Sequence, residues 1–100
     1  MKIVTKKTIK KECWNLDYEL VKWINQHFKT YYNEAIKNID LSYYKFKYKG
    51  TQYTQEQIIV LIIEITGELL NKYFYQKDNN PELVKEMYDL LKLVHWTMWL

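Results

Sequence analysis

The chain has no arginine: all 15 basic side chains among its 100 residues are lysine. The planar guanidinium fork that grips carboxylates and phosphates through two parallel bonds is therefore missing, and recognition that depends on it is excluded. Cysteine is almost absent too. Cys13 stands alone, which forbids an internal disulfide and suits a reducing compartment. Glycine occurs only at 50 and 67, too sparse for a phosphate-cradling loop or a dinucleotide turn, so nucleotide enzymes of those kinds are excluded. With one proline and no Pro-, Gly- or Ser-rich linker, repeat or low-complexity tract, residues 1–100 read as a single helical domain led by a basic segment over 1–12. No apolar stretch follows that basic start as a secretory signal requires, and the longest apolar run, Ile58 to Ile63, stops at Glu64. That is far short of the ~20 residues needed to cross a bilayer. A cytoplasmic protein with no membrane partner is expected.

Aromatic residues are in excess, with 10 Tyr, 4 Trp and 3 Phe in a chain that is 48% hydrophobic. A domain of this size buries roughly two-thirds of its surface, so one core would struggle to cover them all. Charge is polarised as well. Residues 1–49 carry 11 Lys against 5 acids, whereas residues 50–100 carry 4 Lys against 7 acids. The basic half offers Lys2, Lys6, Lys7, Lys10 and Lys11, then Lys45, Lys47 and Lys49, either as solvated lysine or as an attractor for phosphates and acidic faces.

Three helical patterns dominate. The first starts near Asn15 or Asp17, either of which can cap it, and its apolar positions Leu16, Leu20, Trp23, Ile24, Phe28, Tyr31, Ala35 and Ile39 advance by three or four. Glu19, Lys22, Gln26, Lys29 and Asn33 form the opposite, polar face. From Leu41 to Tyr53 the period drops to two, with Tyr44, Phe46 and Tyr48 alternating with Lys45, Lys47 and Lys49 before Gly50. A short aromatic-rich hairpin or extended loop is expected there. Thr54 and Gln57 form a capping box, so a second helix starts at about Gln55 and continues through IIVLIIEITGELL, apolar almost all round and hence central. Its β-branched residues keep a buried strand open as an alternative, and Gly67 in its interior marks a candidate close crossing. Asn79, Asn80 and Pro81 open a third helix with the stripe Leu83, Met87, Leu90, Leu91, Val94 and Met98. The predicted fold class is thus all-α, three main helices with that hairpin or loop between the first and second.

No catalytic or metal-binding set stands out, and no cofactor is expected. His27, His95 and Cys13 lack ligand spacing, and Cys13 beside Trp14 has no visible activating context for a Cys–His nucleophile. Glu64 and Glu68 share a helix face and could do acid–base work or hold a cation, but Gln57 and Asn71 fall on the same stripe, as on a solvated edge. In YYKFKYKG, lysines for phosphates interleave with rings for bases, yet strand geometry would turn the two sets to opposite sides. Tyr44, Lys45, Lys47, Tyr48 and Lys49, with Lys10 and Lys11, are the candidate ligand-binding residues. Phe46, Trp96 and Trp99 are the candidate interface residues, because two tryptophans within the last five positions need docking against the core or a second chain.

The run Trp14-Asn15-Leu16-Asp17, a helix bearing Trp23, a loop over 42–53, the capped Thr54-Gln55-Glu56-Gln57 and the closing Met98-Trp99 resemble a family of small accessory proteins of tailed bacteriophages. The loop lacks that family's usual proline, the capped helix lacks its usual opening Trp, and the basic N-terminus is an addition. The resemblance carries over no catalytic residue. It implies a non-enzymatic protein of the host cytoplasm that inhibits a host process such as antiviral defence, as a homo-oligomer, by binding a host protein or sequestering an anionic signalling nucleotide. A small DNA- or RNA-binding regulator using the lysine-rich N-terminus and hairpin is the alternative.

Overall fold

The computed structural model describes residues 9–11, 13–75 and 80–99. Lys2, Lys6, Lys7 and Asn79 lie outside the described residues. A 3-10 turn at Cys13–Asn15 leads into α1, Leu16–Asn38; strands β1, Lys45–Tyr48, and β2, Thr51–Thr54, precede α2, Gln55–Tyr75; α3, Pro81–Val94, runs into a closing 3-10 turn, His95–Thr97. The three long helices match the reading from sequence. The segment between α1 and α2 is a true antiparallel hairpin rather than an extended loop, so the fold is mostly helical but not strictly all-α.

Each boundary has a local cause. The capping box forms reciprocally: the Gln57 amide donates to Thr54 Oγ1 at 3.2 Å and the Thr54 amide donates to Gln57 Oε1 at 2.9 Å. The amides of Gln55 and Glu56 donate to the carbonyls of Tyr44 and Leu41, so the free donors of the α2 start are met by the loop leading to it. At α3, Asn80 adopts a left-handed conformation with φ 36°, its Oδ1 accepts from the Leu83 amide at 3.3 Å, and Pro81 takes the first helical position.

The core sits on both sides of α2, whose Ile58, Ile59 and Ile62 are fully buried against Phe28 and Ala35 of α1 and Met87, Leu90 and Val94 of α3. That burial on several sides decides for helix over strand in the apolar run. The α1–α2 contact carries a polar clasp absent from the sequence reading. Asn25, 4% exposed, donates through Nδ2 to Thr66 Oγ1 at 2.9 Å and to the Ile63 carbonyl at 3.1 Å, and Thr66 Oγ1 donates to the Ile62 carbonyl at 2.8 Å. Buried amides need such partners, since an unpaired one costs about 1–3 kcal/mol.

Beside this clasp Gly67 is not a close crossing. A Cβ there would have Asn25 Nδ2 as its nearest neighbour, at 3.8 Å, an ordinary contact. Gly67→Ala should therefore stabilise the protein by about 0.5–1 kcal/mol through helix propensity. A thermal melt reads this as a rise of several degrees; a fall would mean that the clasp cannot accommodate the methyl group.

The turn after α1 is held by Asp40, whose Oδ1 accepts from the Ser42 hydroxyl at 2.5 Å and the Ser42 amide at 3.0 Å. These bonds hold its carboxyl below the ordinary carboxylate value. The unfolded chain thus takes up this proton first as pH falls, so the contribution of Asp40 is present above the ordinary value of about 4 and is lost as pH falls through its lowered folded value. Denaturant midpoints taken at neutral pH and near pH 3 should fall less between the two for Asp40→Asn than for wild type. An equal fall would remove Asp40 from the acid response.

Candidate functional site

The C-terminal residues that the sequence singled out are tied down along their backbone. Gln55, 1% exposed at the first position of α2, donates through Nε2 to both the carbonyl and Oγ1 of Thr97 at 3.1 Å, and Thr97 Oγ1 donates in turn to the Val94 carbonyl at 2.9 Å. Two residues on, the Tyr31 hydroxyl of α1 donates to the Trp99 carbonyl at 2.9 Å, and Met98 packs against the core. Partial burial pushes the Tyr31 phenol above its ordinary pKa. All three helices therefore fix this segment. Its rings nevertheless face outward: Trp96 is 86% exposed and Trp99 68%, with the His95 imidazole edge-on to Trp96 at 4.7 Å between centroids. Large rings on a pre-set backbone lose little conformational freedom on binding, the condition under which tryptophan becomes an interface anchor.

The hairpin divides its residues as strand geometry requires. Lys45 pairs with Thr54, Phe46 with Tyr53, Lys47 with Gln52 and Tyr48 with Thr51. Both loop residues have positive φ, Lys49 at 50° and Gly50 at 78°, the geometry of the tight two-residue turn that suits strand twist. Lys45 and Lys47 are exposed, while Phe46 and Tyr48 pack against the core. Phe46, a candidate interface ring from the sequence, is partly buried against the core. Tyr48 likewise turns inward. Its hydroxyl is shielded from solvent beside Lys49 and Glu86; burial, then the nearby Glu86 carboxylate, raises its pKa. The Lys49 ammonium lies 3.7 Å from Glu86 Oε1 and 5.3 Å from the Tyr48 ring centroid, so α3 partly answers its charge. Tyr44 remains at the surface, edge-on to the more exposed Tyr43 at 5.1 Å. Lys10 and Lys11 are exposed in residues 9–11 ahead of α1.

Elsewhere, Gln57, Glu64, Glu68 and Asn71 are all exposed along α2, as the solvated-edge reading has it. Two surface hollows of about 310 and 450 Å³ flank this edge and share Val60 and Glu64 as their wall. Among the described residues no group of three His, Cys, Asp or Glu side chains could hold a metal ion, and no helix is long and apolar enough to cross a membrane.

The sequence reading placed Trp23 on the buried stripe of α1, and the structure does not. Trp23 is 58% exposed, with Leu16 at 50% and Leu20 at 46% beside it, although the pattern grouped all three with buried Ile24 and Phe28. The apolar arc of α1 is wider than its contact with α2, and the clasp at Asn25 turns the helix so that one edge of that arc stands clear. No protein family, curated protein or solved structure matches the chain.

Proposed function

We propose that the protein acts without catalysis, by stoichiometric binding of another protein through the tryptophan rings of its C-terminal end. The observation that carries this reading is the combination at residues 95–99 of a backbone fixed by Gln55 and Tyr31 with indoles left 86% and 68% exposed. A fold gains nothing from rigidly displaying two such rings to water, and an interface gains a great deal. The resemblance of the Trp14–Asp17 opening and the capped α2 to phage accessory proteins supports a bacterial host protein as target, with inhibition of a host process, such as antiviral defence, as the outcome. The hairpin favours this over a nucleotide or nucleic-acid ligand, because Lys45 and Lys47 lie on the side opposite Phe46 and Tyr48 and cannot share one phosphate-and-base surface with them.

The test is co-purification from bacterial host lysate, followed by affinity measurement on the partner recovered. Wild type should retain one partner in a fixed ratio, and Trp96→Ala and Trp99→Ala should each weaken it at least tenfold, the loss that follows from ~1.4 kcal/mol or more per anchor. Retention unchanged in the double variant, or binding that instead falls steeply with salt and is competed by nucleic acid, would overturn the reading.

A further inference from the structure

Pairing with β2 occupies only half of the backbone of β1. The Gln55 amide donates to the Tyr44 carbonyl at 3.0 Å, one step beyond the Lys45–Thr54 pair, and hydrogen-bonded pairs in an antiparallel ladder fall at every second position. Phe46–Tyr53 and Tyr48–Thr51 are therefore the bonded pairs, the second closing the two-residue turn. Thr54 agrees with this parity, because its amide turns away from Lys45 to Gln57 Oε1 at the start of α2. The amides and carbonyls of Lys45 and Lys47 accordingly point away from β2, along the outer edge of β1. The sheet has two strands, and among the described residues no backbone or side-chain group bonds to Lys45 or Lys47. Both residues are exposed, and neither ammonium has an ion-pair partner, whereas Lys49 has Glu86.

We propose that this edge takes up an extended acidic segment of another protein as a third, antiparallel strand. Backbone chemistry narrows the occupant first. Lys45 and Lys47 present donors and acceptors in alternation, repeated at ~7 Å along the strand, a pattern that extended peptide matches and a phosphate backbone, which carries acceptors only, does not. Charge narrows it further. The two lysine side chains share the outer face, so the residues opposite them sit at Cβ separations of ~5 Å, within reach for carboxylates to pair with the ammonium groups. The residue between those two turns inward beside half-buried Phe46, where an apolar side chain covers the flank of the ring. A second copy of β1 fails on the same grounds. Every register that uses the backbone of both lysines sets lysine against lysine, the repulsion by which charged edges keep copies of a sheet apart.

Nuclear magnetic resonance titration of the full chain with the capped peptide Thr-Val-Glu-Val-Glu-Val-Thr tests this. With the peptide at about ten times its measured dissociation constant, amide exchange at Lys45 and Lys47 should slow about tenfold, while Phe46 and Tyr48, already bonded to β2, change little. Lys47→Pro removes a donor that β2 does not use, a change that strand edges tolerate, and should abolish binding. Lys45→Glu combined with Lys47→Glu should weaken this peptide by about tenfold or more and accept Thr-Val-Lys-Val-Lys-Val-Thr instead. Circular dichroism checks that both variants are folded, and the charge-reversed variant decides the outcome if Lys47→Pro is not. Absence of binding to wild type, binding that leaves both amides in fast exchange, binding retained by folded Lys47→Pro, a charge reversal that fails to switch preference, or displacement of the peptide by an equal concentration of oligothymidylate would each overturn strand addition. A defined peptide needs no host partner, so its failure to bind bears on β1 alone and not on Trp96 and Trp99.

Discussion

Replacing Ile62 with alanine is expected to lower the unfolding free energy by about 3–4 kcal/mol, a large share of the ~5–15 kcal/mol that holds a domain together. Ile62 is 0% exposed and lies midway along the run of α2 that faces both neighbours, with Phe28 and Ala35 of α1 to one side and Met87 and Leu90 of α3 to the other. The methyl groups it loses have no mobile neighbour to replace them, because the flanking Ile58, Ile59 and Ile65 are themselves held by the same helix. A cavity term therefore adds to the transfer term. Val60→Ala is the internal comparison. Val60 is half-buried on the exposed side of α2 and walls the two surface hollows, so its truncation should cost below about 1 kcal/mol. Urea titrations of the two variants should separate in midpoint at unchanged slope; equal midpoints would remove Ile62 from the centre of the core.

Much of this fold is written in local chemistry and can be read one segment at a time. The Thr54–Gln57 box, the Asn80–Pro81 start and the period-two alternation of Phe46 and Tyr48 with their lysines depend on neighbours within a few residues, and each forms where its residues require. What cannot be read locally is which part of a wide apolar arc meets another helix. Leu16, Leu20 and Trp23 satisfy the same periodicity as Ile24 and Phe28, and only the register of α1 on α2, set by buried Asn25 against Thr66, separates the inner stripe from the outer one. Asn25 carries no local signal of this role, because its partner lies 41 positions away. The candidate site divides in the same manner. Trp96 and Trp99 stand out from composition and position, but the clamp that gives them a fixed backbone depends on Gln55 and Tyr31, which no spacing connects to the end of the chain.

That clamp yields the second large effect. Gln55→Ala should destabilise the protein by about 2 kcal/mol, because it leaves the Thr97 carbonyl and hydroxyl without their buried donor and opens a cavity at the first turn of α2. Thr97→Val should cost less, since it removes the hydroxyl but keeps the bond from Gln55 Nε2 to the backbone carbonyl. The consequence for binding follows from geometry rather than contact. Gln55 is 1% exposed and touches no partner, yet its removal frees residues 95–97 to sample several conformations, and a partner must then reorder them. Amide exchange at 95–99 should accelerate in Gln55→Ala, and affinity for the partner should fall several-fold although both indoles remain. If exchange accelerates while affinity holds, then the tryptophans bind without a pre-set backbone, and their exposure alone accounts for recognition. If exchange is unchanged, Tyr31 and Met98 suffice to hold the end of the chain, and Tyr31→Phe, which removes only the hydroxyl bond to the Trp99 carbonyl, becomes the variant that separates holding from binding.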